Sequence, residues 1–291
     1  MTFKGSMVAL VTPFKNGKVD ENTLKKLVEF HIKNGTTALV PCGTTGESAT
    51  LSYEEHDKVI EKTIEFAKGR IPVIAGTGSN STEEAIALTK HAKKAGADAS
   101  LQVSPYYNRP TQKGLYLHFK AIAEAVDIPI ILYNIASRTG VNIEPETMAK
   151  MSEIKNIIGV KEASGSLEQM SRIKKLCRKD FLLISGDDAL TLPVMSIGGV
   201  GIISVVSNII PRDIADLCGA YEKGDIKKAE ELHYKTLNLV KAMFIETNPI
   251  PVKTAMAMMK LIEPGMRLPL CEMLPDNQEK LAKALKDYKL I

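Results

Sequence analysis

In the stretch GVKEASG (159–165), Lys161 closes an apolar run that begins at Ile157. A charged ammonium is costly to bury unless it is paired or gives up its proton. Burial lowers the pKa of such an amine and frees its lone pair, which suits Schiff-base formation with a carbonyl. The position equally suits a structural lysine paired with a carboxylate such as Glu162 or Asp187, and position alone leaves both readings open. Tyr133 lies in another apolar run, PIILYNIAS (129–137). A phenol near an amine can carry the protons that carbinolamine formation and dehydration require; a packed aromatic with one satisfied hydroxyl is the plainer alternative. In GTTGE (43–47) the glycines permit a tight turn, and consecutive N–H groups can cradle a carboxylate. Thr44 and Thr45 add hydroxyls, and a simple turn is again the alternative.

These residues need elements to hold them. Eight short β-branched runs cover 7–14, 38–46, 72–78, 99–107, 129–137, 157–164, 182–188 and 199–208. Between them lie segments such as ENTLKKLVEFHIKNG and STEEAIALTKHAKKAG, with apolar residues at three- and four-residue steps and a glycine as a stop. Ser81 followed by Glu84 reads as a capping box. Eight strand–helix units predict a (β/α)₈ barrel over residues 1–224. A doubly wound open sheet is the rival, but it usually has fewer strands and a glycine-rich phosphate turn after the first. From 225 to 291 no strand pattern occurs, and five prolines from Pro249 to Pro275 divide what reads as a small C-terminal helical domain. In a barrel the active site forms at the C-terminal ends of the strands. Lys161, Tyr133 and GTTGE all fall at such ends.

The composition excludes several classes of function. The 291 residues are 44% hydrophobic and 25% charged, with 38 basic and 34 acidic residues for a net charge of +4. Lys174-Lys175 and Lys227-Lys228 read as solvated helix faces, so no nucleic-acid partner is expected. No apolar stretch approaches the ~20 residues of a membrane span, and the N-terminus lacks signal-peptide architecture. Four scattered cysteines without a CxxC point to reduced thiols and a cytoplasmic location. There is no GxGxxG or GxxxxGK[ST], and GGVG (198–201) leads into the eighth run rather than out of the seventh. The five histidines form no HExxH, so no metal is expected.

Several motifs stand in register together: GTTGES after the second run, PYYNRPTQ after the fourth, YNIASRTG after the fifth and GVKEASG at the sixth. With FIETNPIPVKTA (244–255) and MRLPL (266–270), they make the chain resemble the pyruvate-dependent class I aldolases, and within them the dihydrodipicolinate synthase family. The resemblance covers essentially the whole chain. It implies that Lys161 is the Schiff-base nucleophile for pyruvate. Tyr133 would be the proton shuttle, relayed by Thr44 and by Tyr107 from a neighbouring subunit. The Thr44 and Thr45 amides would hold the pyruvate carboxylate, and Arg138 would pair with the carboxylate of L-aspartate 4-semialdehyde. Gly186 and Ile203 would line the pocket through their backbones. No cofactor is implied, because the protonated imine is itself the electron sink.

The resemblance also implies a homotetramer, a dimer of dimers, and an L-lysine effector at Ser48, Ala49, Tyr53, His56, Asn80, Glu84 and Tyr106. Tyr53 departs from members that carry a histidine there; a phenol can still accept a hydrogen bond and stack on a cation. Two other readings fit part of the pattern. N-acetylneuraminate lyases and 2-keto-3-deoxy sugar-acid aldolases share the lysine, the tyrosine and the GTTGE-like loop, but Arg138 and the Tyr106-Tyr107 pair favour a carboxylate-bearing second substrate. A catalytically silent binding protein on the same barrel would have little reason to keep Lys161, Tyr133, Thr44, Tyr107 and Arg138 together.

Overall fold

The structure is a computed structural model that describes residues 3–291. Each of the eight apolar runs contains a strand: β1 Gly5–Ala9, β2 Ala38–Val40, β3 Ile74–Gly76, β4 Ala99–Val103, β5 Ile130–Asn134, β6 Ile157–Glu162, β7 Leu182–Ser185 and β8 Gly201–Ser204. The strands are parallel, in the order β2-β1-β8-β7-β6-β5-β4-β3. A bridge between Leu39 and Val73 joins β2 to β3, so the sheet closes into the expected barrel. Successive side chains of a strand point to opposite faces. Met7, Val40, Ile74, Leu101, Ile131, Tyr133, Ile184 and Ile203 therefore fill the barrel together. Their neighbours in sequence, such as Val8, Leu39, Leu132 and Val160, face outwards to the helices.

The helical layer follows from caps and amphipathic stripes. Helices α1 Glu21–Lys33, α2 Tyr53–Ala67, α3 Thr82–Ala95 and α4 Gln112–Ala125 follow the first four strands. Helices α5 Pro145–Ser152, α6 Leu167–Leu176, α7 Thr191–Ser196 and α8 Pro211–Glu222 follow the other four. Asp20 caps α1 by accepting from Thr23 N at 3.1 Å. Helix α3 stops at Gly96, whose φ of 97° is the left-handed stop expected of a glycine. The capping box read at Ser81 is only half formed. Ser81 Oγ accepts from Glu84 N at 3.4 Å, but the Glu84 carboxylate turns to Tyr53 and Ser79. The full box is at the start of α2, between Ser52 and Glu55.

One element was not foreseen. Phe14–Lys15 and Lys18–Val19 form a short antiparallel hairpin. Its turn is Asn16-Gly17, with φ of 51° and 74°. Asn-Gly is the pair that two-residue hairpin turns favour, because both positions need positive φ. Three further helices complete the chain: α9 Ile226–Ala242, α10 Ile250–Met258 and α11 Pro275–Asp287. Leu239, Met256, Leu281 and Leu285 share one continuous core with Leu10, Val11 and Leu39 of the barrel side. Cys42, Cys177 and Cys218 are buried and Cys271 is exposed; all four are free thiols. Among the described residues no helix is long and apolar enough to cross a membrane, and no group of three metal-binding side chains converges.

Candidate active site

Tyr133 and Lys161 sit opposite each other on β5 and β6, and both point into the barrel at its C-terminal end. The Lys161 Nζ lies 4.3 Å from the centroid of the Tyr133 ring. Burial pushes the Lys161 amine down to about 8; the Asp188 carboxylate opposes that shift and the Arg138 charge adds to it. Burial pushes the Tyr133 phenol up to about 12, against the Arg138 charge and the Thr44 hydroxyl. The amine thus loses its proton more readily than a free lysine, and the phenol keeps its own. Gly186 makes room for the lysine stem: a Cβ there would stand 3.2 Å from Lys161 Cγ and 2.7 Å from Ala163 Cβ.

The structure decides between the carboxylates named as alternatives. Glu162 is not the partner of Lys161. Strand alternation turns it outwards, where it accepts from Asn134 Nδ2 at 3.0 Å and Ser164 N at 2.8 Å. Asp187 caps a turn by accepting from Ala189 N at 2.9 Å. The carboxylate whose charge reaches Lys161 is Asp188. It is buried, pushed up to about 6 by that burial, and hydrogen-bonded by Ser204 Oγ, Val205 N at 3.0 Å and Val206 N at 3.3 Å.

The GTTGE loop continues from β2 at the same end. Its turn is tied by Gly46 N and Ser48 N to Gly43 O, and by Glu47 N to Thr44 O. The amides of Thr44 and Thr45 donate to no protein acceptor among the described residues. Two adjacent free donors of this kind suit a carboxylate. Thr45 is buried, and its hydroxyl accepts from Asn248 Nδ2 at 3.1 Å. Arg138 is exposed at the mouth of the barrel, on the short helix Ala136–Thr139, and its Nη2 donates to Asn248 O at 2.9 Å. Ile203 is buried in the barrel wall on β8. Asn248 was not among the site residues read from the sequence. It is buried, touches both Thr45 and Arg138, and its Oδ1 finds no donor among the described residues.

A cavity of about 630 Å³ opens beside Thr44 and Arg138 and runs between α2 and α3. Ser48, Ala49, Tyr53, His56, Glu84 and Tyr106 line it, so six of the seven residues named for an effector share one space. Asn80, the seventh, donates to Tyr106 O at 3.2 Å. The Tyr53 hydroxyl donates to Glu84 Oε1 at 2.5 Å, and Ser79 donates to the other carboxylate oxygen. His56 Nε2 meets Gly76 O at 2.9 Å, and burial lowers the pKa of its ring. Tyr107 stands apart from the rest. Its φ is 72° and the residue is 91% exposed, so within one chain its ring does not enter the barrel.

Comparison with known proteins agrees with this geometry. Residues 2–288 match the dihydrodipicolinate synthetase family. A 4-hydroxy-tetrahydrodipicolinate synthase of Syntrophus aciditrophicus is 60% identical over 289 residues, covering 99% of both chains. The pyruvate complex of a chloride-inhibited dihydrodipicolinate synthase from Acinetobacter baumannii is 49% identical, with a TM-score of 0.97 over 100% of both chains. A lysine-bound synthase from Cyanidioschyzon merolae is 43% identical, with a TM-score of 0.96 over 99% of both. By full-length match in sequence and fold, the chain belongs to the dihydrodipicolinate synthetase family.

Proposed function

We propose that this chain condenses pyruvate with L-aspartate 4-semialdehyde to 4-hydroxy-tetrahydrodipicolinate, a step of lysine and diaminopimelate biosynthesis. The observation that carries the reading is the buried Lys161 amine, pushed down to about 8 and 4.3 Å from the Tyr133 ring. The neutral amine attacks the ketone carbon of pyruvate, while the Thr44 and Thr45 amides hold its carboxylate. Tyr133, protonated because its pKa is raised, donates a proton as the carbinolamine loses water. The resulting imine loses a methyl proton and becomes an enamine. Its carbon attacks the aldehyde, whose carboxylate pairs with Arg138. The substrate's amino group then adds to the imine carbon and displaces Lys161, closing the six-membered ring.

The same reading takes the tetramer and the effector with it. An almost fully exposed tyrosine held in left-handed backbone supports a second copy that covers it and receives its hydroxyl into the Tyr133 relay. Glu84, Ser48 and the Tyr53 hydroxyl in one cavity supply acceptors for the two ammonium groups of L-lysine. The free cysteines suit a cytoplasmic enzyme. The deciding experiment is an assay with pyruvate and aspartate semialdehyde, coupled to reduction of the product and run beside N-acetylneuraminate cleavage. Turnover of the sugar acid in place of the semialdehyde would overturn the assignment.

A further inference from the structure

The GTTGE loop ends in a residue that should resist its own conformation. Glu47 has φ 54° and ψ 36°, in left-handed backbone, although it is not a glycine. Its side chain is completely buried. One carboxylate oxygen takes the ammonium of Lys253, itself 1% exposed, and the other accepts from Arg267 N at 3.1 Å. Lys253 lies on α10, more than two hundred residues away in sequence. The ammonium of Lys253 and the guanidinium of Arg267 lie 4.3 and 4.4 Å from the centroid of the Phe14 ring, which leaves little room for water around the pair. Arg267 also grips Glu55 through two bonds of 2.5 and 2.6 Å, and it donates to Thr50 O and Gly17 O.

Taken with Asn248, this gives the loop two anchors from the start of one helix. Asn248 donates to Thr45, and Lys253 pairs with Glu47. Between them they bracket residues 45–47, directly after the free amide of Thr44. A buried ion pair adds little to stability, because desolvation offsets most of its attraction; its best-attested use is to fix one arrangement among several. We infer that Lys253 and Glu47 are positioning residues, whose buried pair holds the GTTGE loop so that the Thr44 and Thr45 amides meet the pyruvate carboxylate. The inference rests on the reading of that loop as the carboxylate site.

The test separates folding from positioning. Replacing both partners by apolar residues of similar shape removes the pair without leaving a bare charge. In Glu47→Leu/Lys253→Met, the melting temperature should stay within a few degrees of the wild type. The pyruvate concentration that half-saturates borohydride trapping at Lys161 should rise about tenfold or more, roughly the effect of one lost charge-assisted contact. The trapping rate at saturating pyruvate should change far less. Glu47→Gln/Lys253→Met keeps the shape and an acceptor for Arg267 N and likewise leaves no bare charge, so it should fold and show the same rise; it decides the matter if the first double variant does not fold. Wild-type half-saturation in either folded variant overturns the inference. So does failure of both to fold, which would make the pair a stability element. If the wild-type chain traps no pyruvate, the functional reading fails instead.

Discussion

Tyr133 and Lys161 are cross-strand partners, and the next pair along the same strands, Asn134 and Glu162, are bonded to each other on the opposite face. The site pair faces the barrel interior; the bonded pair faces the helices. A one-residue slip between β5 and β6 would exchange the two faces. The outer pair, with Gln169 and Asn142 also on it, therefore keeps the inner pair in register.

Glu162→Ala should test that arrangement. It takes from Ser164 N its acceptor and from Asn134 Nδ2 one of two, the other being Asn142 Oδ1 at 2.8 Å. A loss of ~1–3 kcal/mol is expected from unsatisfied groups of this kind. Calorimetry measures the loss, and the trapping rate at saturating pyruvate should fall with it. A variant of unchanged stability would show that the outer pair does not hold the register.

The pKa of Lys161 makes two predictions of definite sign. The neutral amine is the nucleophile, so borohydride trapping of pyruvate should accelerate with pH up to about 8 and then level off. The unfolded lysine keeps its proton to its ordinary 10.5, the folded one only to about 8. Between these values the unfolded state binds more protons, so stability rises with pH across the window and the cost is full below it. Lys161→Met should therefore trap no pyruvate, yet melt higher than the wild type at pH 7. The gain is on the order of 3 kcal/mol at most and should vanish towards pH 10.5. Equal melting temperatures at pH 7 would refute the shift.

For Arg138 the two substrates should part company. Arg138→Ala should still trap pyruvate, while kcat/KM for aspartate semialdehyde falls about 10- to 100-fold, the equivalent of a hydrogen bond to a charged group. Equal loss for both substrates would place Arg138 in the pyruvate site, through its bond to Asn248.

Hybrid oligomers test the role of Tyr107. Tyr107→Phe and Lys161→Ala chains should each be nearly inactive alone, the first by about 10²–10⁴-fold if its hydroxyl relays protons. Mixed and reassembled, they should regain activity through sites that pair an intact tyrosine with an intact lysine. Verified hybrids without any recovery would argue that each chain completes its own site.

L-lysine should inhibit the enzyme at concentrations up to millimolar, and Glu84→Ala should abolish most of that inhibition. The Ser79 and Tyr53 hydroxyls hold Glu84 below the usual carboxylate range, so it offers a full negative charge at neutral pH. An insensitive wild type rules out the effector; inhibition unchanged in Glu84→Ala puts it elsewhere.

Much of this was legible in the residues. β-branched runs located all eight strands, and Tyr133 and Lys161, read at two of their ends, stand side by side there. Parity was legible too, though it went unread: if Lys161 faces inwards, Glu162 must face outwards, so Glu162 could not be its partner. Asn16-Gly17 likewise announced a hairpin. The parts that escaped join distant residues. Asn248 reaches Thr45 across a separation of 203 residues, and Lys253 reaches Glu47 across 206. No local period reports such pairings, because they depend on where the C-terminal helices dock.

The bond from Arg138 to Asn248 O has a further consequence. A free arginine at a surface samples many rotamers, and ordering it on a ligand costs up to ~2 kcal/mol of side-chain entropy. Here one arm of the guanidinium is already tied down at 2.9 Å. Part of that ordering took place when the chain folded, so the carboxylate proposed to pair with Arg138 would meet a group whose remaining freedom is small, and more of the contact energy would be left to appear as affinity.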